Sequence, residues 1–337
     1  MQPVGKDIPP GRYFIPHHCV IRPERLATKL RVVFNASHKT TNGLSLNDIV
    51  DLVDIITGFR IHNIVFTCDI SELYRQIVIR PEDRVWQHVL WRKSPSLPVQ
   101  EFELRTVTYG VKSSPYLAIR TLHKLATDHG DQFPHAAEAL RHHTYMDDII
   151  TGASSIEATS QLKEDLINRL NCAQLDLRKW SSNSPLLLQT LPMEHWECPK
   201  SFSDDGSITL KVLGVQWDPT EDYFTYSVSP VNVEFTKRSI LSHVARIYDP
   251  LGWLSPFILL AKLLLQSLWR IGLSWNELIP ANLRNDWVPF VSDLYNIKSI
   301  KIPRKTVILR CYTPANWVLR WINKSIRMLC LSSIKYQ

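Results

Sequence analysis

No CxxC pair occurs among the six cysteines of this chain, Cys19, Cys68, Cys172, Cys198, Cys311 and Cys330. Their scatter argues against a zinc site or a disulfide scaffold and fits a reducing, cytoplasmic setting. The opening residues, MQPVGKDIPPGRYFIPHH, lack a basic segment followed by an apolar one, so no secretory signal is expected there. An uninterrupted apolar run is missing too. The most apolar stretch, LSPFILLAKLLLQSLWRIGL (254–273), carries Lys262, Gln266 and Arg270 four residues apart, which predicts an amphipathic helix and no membrane span. Residues 301–337 hold no acidic residue but eight lysines and arginines. The net charge of +7 therefore belongs to this tail, because residues 1–300 balance 31 basic against 32 acidic side chains. Global charge is thus no evidence for a nucleic-acid groove.

What is there reads as globular. The 337 residues are 45% hydrophobic and 21% charged, enough for two or three domains or one multi-lobed body. KLRVVFNAS (29–37) and NIVFTCDI (63–70) read as strands, the second with Asp69 near its end. SELYRQIVI turns into a short helix or continues extended, DRVWQHVLWR (83–92) alternates like a half-buried strand, and SLPVQEFEL looks like a hairpin arm. A helix is expected over TYGVKSSPYLAIRTLHKLATDHG (108–130), with Ser114 as N-cap, Pro115 at its first position and Gly130 past its end. TYMDDIITG follows as a strand, then a helix opened by Ser154 and Glu157 as a capping box, with Ala158, Leu162, Leu166 and Leu170 on its apolar face. LDLRKW (175–180) is a further strand, 181–207 a linker or insertion rich in Pro and Ser, ITLKVLGVQWD (208–218) a strand, and 236–296 mainly helical. Strand, helix, strand hairpin, helix, strand is the order of a split βαβ sheet with helices on one face, an α+β fold.

HHTYMDDIITG (142–152) sets Asp147 beside Asp148 in a strand-like context. Strands disfavour aspartate, and adjacent like charges are a cost. In the split βαβ order, Asp69 and the Asp147–Asp148 pair fall at neighbouring strand ends, within about 5 Å. Three converging carboxylates suit two divalent cations about 4 Å apart, the arrangement that clamps an in-line phosphoryl displacement. Taken alone, an Asp-Asp pair more often forms a surface turn, and it is the company of the other segments that favours the metal reading.

YMDD bracketed by apolar residues, with Asp69 upstream in CDISELYRQI, resembles the metal-binding core of reverse transcriptases. More closely, the chain resembles the polymerase region of BEL/Pao-type LTR retrotransposons. That likeness is carried by IPHHCVIRPERLATKLRVVFNAS, NGLSLND, YGVKSSPYLA, LRKWSSN, LGVQWD and TKRSILSHVARIYDPLGWLSPFILLAKLLLQSLW, in family order. The resemblance implies a right-hand polymerase: part of the fingers at 1–62, palm at 63–180 with a fingers insertion at about 80–106, linker and primer grip at 181–235, helical thumb at 236–300, and an aberrant basic tail at 301–337. It implies Asp69, Asp147 and Asp148 as ligands of two Mg²⁺ or Mn²⁺ ions. Tyr74 would be the gate beneath the nucleotide sugar, Arg31 and Lys29 contacts to the triphosphate, and Tyr109, Gly110, Ser113, Ser114 and Pro115 the segment beside template base and nucleotide. At the position of Tyr109 most such polymerases carry Gln. Lys179 would protonate the leaving pyrophosphate, and Leu213, Gly214 and Trp217 would belong to the primer grip. The implied partners are an RNA or DNA template-primer and dNTP, with no membrane.

Two further activities of such polyproteins are not expected. No Asp-[Ser/Thr]-Gly motif supports the peptidase label that such sequences carry, and the acid-free tail supplies no carboxylates for RNase H. The abrupt start and foreign end suggest a piece of a longer polyprotein. Against the polymerase stands a truncated remnant that folds and holds nucleic acid without polymerising.

Overall fold

The structure is a computed structural model that describes residues 2–3, 17–21, 30–34, 52–111, 113–128, 132–197, 209–227 and 235–306, the first three segments by backbone alone. Contacts divide the chain into two units, Met1–Gly58 with His62–Cys198 and Phe59–Ile61 with Pro199–Gln337.

The first unit opens with β1 (Gln2–Pro3), the paired strands β2 (His17–Ile21) and β3 (Leu30–Phe34), and α1 (Leu52–Phe59), whose last residue falls in the second unit. Its central strand is β4 (Ile64–Ile70), a β-branched and aromatic run in which Phe66, Cys68 and Ile70 face a helical core while Thr67 and Asp69 face the other way. After α2 (Leu73–Gln76) come β5 (His88–Trp91) and β6 (Gln100–Glu103), which pair antiparallel, with β1 on the far side of β6. Then follow α3 (Ser114–Asp128), α4 (Pro134–His142), the hairpin β7 (Thr144–Tyr145) and β8 (Asp148–Ala153), α5 (Ile156–Asn171), β9 (Leu177–Ser182) and α6 (Pro185–Leu188). The main sheet has the order β7-β8-β4-β9, antiparallel throughout, which is the split βαβ arrangement that the element order predicts. Ala118 and Leu122 of α3, Ala136 and Leu140 of α4, and Leu162 and Leu166 of α5 cover one face of it. Each buried leucine among them contributes about 1.5–3 kcal/mol.

Several local expectations change. Residues 83–92 are not one alternating strand: Pro81–Trp86 is a 3-10 turn, and in β5 His88 and Val89 are buried while Leu90 and Trp91 are exposed. α4 is an additional helix, placed by Pro134 in its first turn and by buried Ala136, Ala137, Ala139 and Leu140. Ser155, not Ser154, caps α5 by accepting from the Ala158 N–H, and Ala158 itself is exposed. Ser114 does not cap α3: its hydroxyl donates to the Thr108 carbonyl, while the Ser113 carbonyl takes the first helical bond from Leu117. The Pro- and Ser-rich stretch begins as part of the unit, with Leu187 buried in the helical core. Gly130 and Lys29 lie outside the described residues.

In the second unit, β10 (Leu210–Val212), β11 (Val215–Asp218), β12 (Tyr223–Thr225) and β13 (Ile302–Pro303) form an antiparallel sheet in that order. Residues 208–218 are thus a hairpin, not a single strand. α7 (Lys237–Ala245), α8 (Ser255–Arg270) and α9 (Ala281–Asn296) supply the rest. Trp217 meets Phe59 edge-on at 5.1 Å, and Phe257 stacks on Phe290 at 4.3 Å. In α8 the expected polar stripe holds, with Lys262, Gln266 and Arg270 exposed, but Leu259, Leu260 and Leu263 are exposed as well. No helix among the described residues is long and apolar enough to cross a membrane. Residues 302–304 belong to the folded unit, where Arg304 is wholly buried, so the tail cannot start at 301. Residues 307–337 lie outside the described part.

Candidate active site

Strand pairing brings the carboxylates to one end of the main sheet. Asp69, next to last in β4, is the cross-strand partner of Asp148, the first residue of β8, and the two share the face away from the helices. Met146 and Asp147 link the paired residues Tyr145 and Asp148, and the Ile70 N–H donates to the Asp147 carbonyl at 2.7 Å, tying the turn to β4. The third strand adds a cation: β9 bulges against β4 between Thr67 and Asp69, and Lys179 from the bulge forms an ion pair with Asp69.

Electrostatics follow from this crowding. Burial, then the charges of Asp147 and Asp69, push the Asp148 carboxyl up to about 7, against a lowering by Lys179. Burial and Asp69 likewise raise Asp147, opposed by its own backbone N–H and by Lys179. Burial works against the Lys179 charge, but the hydrogen bond and charge of Asp69 outweigh it, so the ammonium is held above its usual value. Cys68, between the two layers, is raised far up by burial first and then by Asp69 and Asp148, which leaves it an inert thiol.

The backbone is strained in the same place. Glu72, Met146 and Lys179 all adopt the left-handed region, at φ 52°, 59° and 52°. Each costs a side chain with a Cβ about 1 kcal/mol or more, and such strain gathers where geometry is over-determined.

Tyr74, on α2, packs against the helical core, and burial followed by the Asp147 charge raises its phenol to about 12. It therefore stands beside the carboxylates. Tyr109 is 38% exposed, Gly110 turns at φ 86°, and Ser113 precedes α3, so these form one loop entering that helix. Arg31 lies in β3 opposite Val20, with only its backbone described. Leu213, Gly214 and Trp217 lie in the second unit. Leu213 and Gly214 make the tight turn of the β10–β11 hairpin at φ 47° and 88°, and a Cβ on Gly214 would sit 2.7 Å from the Tyr248 ring. Trp217 is wholly buried and donates to Asp222, so its side chain braces the hairpin from inside and offers no surface to a primer. Sequence reasoning missed Glu197, held by its N–H to the Trp180 carbonyl. Its charge reaches both Asp148 and Lys179. Nothing in its sequence context marks it, because the chain turns back to the sheet only in three dimensions.

Among the described residues, no group of three or more His, Cys, Asp or Glu side chains is gathered tightly enough to hold a metal ion as it stands. The expected three-carboxylate cage is not closed, since Asp69 is engaged by Lys179 and Asp147 sits in the turn. The donors nonetheless fit a hard divalent cation: all are carboxylate oxygens, and the burial and mutual repulsion that raise Asp147 and Asp148 are penalties such an ion relieves.

Residues 24–180 match the family model described as reverse transcriptase (RNA-dependent DNA polymerase), so the whole carboxylate cluster lies inside the matched stretch. The fold and the match define a reverse transcriptase domain of the polymerase palm type. Residues 236–318 match the Pao retrotransposon-like RNaseH-like domain. With both matches in this order, the chain is a reverse transcriptase region of a BEL/Pao-type retrotransposon. No curated protein matches the chain. The second match corrects the expectation that no RNase H part is present. That expectation looked for carboxylates after residue 301, whereas the matched stretch begins with the helices at 236. Within it, Asp249 accepts from the Tyr226 hydroxyl and from the N–H groups of Trp253 and Leu254.

Proposed function

We propose that this region performs RNA-directed DNA synthesis by two-metal nucleotidyl transfer from dNTP to a primer 3′-hydroxyl. The observation that carries the reading is the cross-strand Asp69–Asp148 pair with Asp147 in the adjoining turn, at one end of a split βαβ sheet. Asp69 and Asp147 would hold two Mg²⁺ or Mn²⁺ ions, with Asp148 assisting. When bound, the ions would activate the primer hydroxyl and neutralise the developing charge on the triphosphate. Tyr74, beside Asp147, would lie under the incoming sugar and exclude a 2′-hydroxyl. The loop of Tyr109, Gly110 and Ser113 would border the template base, with Arg31 and Lys29 meeting the triphosphate as phosphate-binding cations. Lys179 would give a proton to the leaving pyrophosphate. The turn at Leu213 and Gly214 would steady the primer end, and the helices within 236–300, which also open the RNaseH-like match, would flank the duplex as a thumb.

Extension of a homopolymer template-primer with labelled dNTP and Mg²⁺ or Mn²⁺ tests the reading. Incorporation is expected from the wild type and not from an Asp147→Asn, Asp148→Asn double variant. A folded wild type that binds template-primer with steep salt dependence yet adds no nucleotide would make the chain a non-catalytic remnant.

A further inference from the structure

The carboxylate end of the main sheet carries a cation of its own. Lys179 is the extra residue of the bulge where β9 passes Asp69, and its left-handed backbone, φ 52°, aims the side chain back along the sheet end. The ammonium forms a direct ion pair with Asp69 Oδ2. The two partners differ in access: the lysine side chain is 51% exposed, the aspartate 17%. Asp69 is thus the fixed, half-sheltered member and Lys179 the one that can leave into water at small cost.

An ammonium on Asp69 Oδ2 competes with a divalent ion for the same carboxylate, because two cations held a few ångströms apart repel. We propose that Lys179 is a displaceable placeholder, which neutralises Asp69 in the metal-free protein and is expelled when a divalent cation takes Asp69. Glu197, whose charge already acts on the lysine, is a second counter-charge for the released ammonium. The bulge keeps the lysine backbone beside the site throughout, so the exchange is a side-chain movement with the sheet unchanged. This role is separate from proton donation and rests on the metal-dependent reading above.

The test is Mn²⁺ binding to the purified full chain, read from the loss of the free-ion EPR signal, with thermal unfolding in EDTA and in Mg²⁺ alongside. Lys179→Gln should bind Mn²⁺ roughly two- to fivefold more tightly than wild type, the scale of one half-exposed ion pair. The same variant should melt lower in EDTA and gain more from Mg²⁺, whereas Lys179→Arg, which keeps the cation, should behave as wild type. If the glutamine variant does not fold, Lys179→Gly, suited to the left-handed backbone, repeats the measurement. Equal or weaker Mn²⁺ binding without the lysine, while Asp147→Asn weakens it, overturns the placeholder and leaves the polymerase reading standing. A wild type whose Mn²⁺ isotherm is unchanged by Asp147→Asn has no metal at this cluster, and both readings fall together.

Discussion

At the scale of single residues, the site is a balance of unlike penalties. Asp148 is held up to about 7 by burial and by two neighbouring carboxylates, so the folded protein binds a proton there more tightly than the unfolded chain does. The sign follows: stability from this group is present below the ordinary carboxylate value near 4 and is lost as pH rises through about 7. In EDTA, then, the unit should lose stability between pH 4 and 7, and Asp148→Asn should flatten that loss. At pH 8 the variant should gain about 1 kcal/mol, or roughly 2–4 °C in Tm. Thermal melts of both proteins across pH check this, and a wild-type Tm that rises over the same interval would contradict it. Mg²⁺ should restore the wild type at pH 8 and leave Asp148→Asn less affected.

Elements place these residues, and small side chains decide how closely the elements approach. Gly152 of β8 lies opposite Val65 of β4, and a Cβ there would meet the Ile64 carbonyl oxygen at 2.2 Å and the Val65 Cα at 2.9 Å. Both are backbone atoms in the strand that carries Asp69, so they cannot swing aside. Gly152→Ala should therefore separate the central strand pair and cost about 2–3 kcal/mol, measured by denaturant unfolding. On the proposed function, nucleotide addition should fall with it, because the Asp69–Asp148 pairing depends on the same ladder. The α5 boundary shows the limit of motif reading. Both Ser154 and Ser155 fit a cap, and the choice falls to Ser155 through its bond to the Ala158 N–H.

At the scale of the whole molecule, each unit closes its own core. In the second, the guanidinium of Arg304 donates to both carboxylate oxygens of Asp222 at 2.6 and 2.8 Å and to the Phe59 carbonyl at 2.6 Å. The chain's far-separated parts at 59 and 304 are thereby joined within one unit. Asp222→Ala should leave a buried cation unmatched and cost about 3–5 kcal/mol in unfolding experiments. A loss well below 1 kcal/mol would mean the pair does not hold the unit together. This also explains why a basic stretch near residue 301 misleads a sequence reading: its first arginine is a core residue, and charge counting cannot tell a buried, paired guanidinium from a solvated one.

The sequence alone determined the split βαβ order, because strand and helix periodicities and their punctuation are local. It also marked Asp69, Asp147 and Asp148 as one group, but through the resemblance of YMDD and CDISELYRQI to a polymerase metal core, since an Asp-Asp pair by itself reads as a surface turn. Tertiary structure decided what depends on which strand lies beside which: the Asp69–Asp148 register, the bulge that turns Lys179 back onto Asp69, the approach of Glu197, and the burial of Trp217 and Arg304. These contacts join residues up to more than 200 positions apart, as in Arg304 Nη1 to the Phe59 carbonyl, |i−j| 245. No local propensity encodes such a pairing, because its energy exists only once the intervening chain has folded.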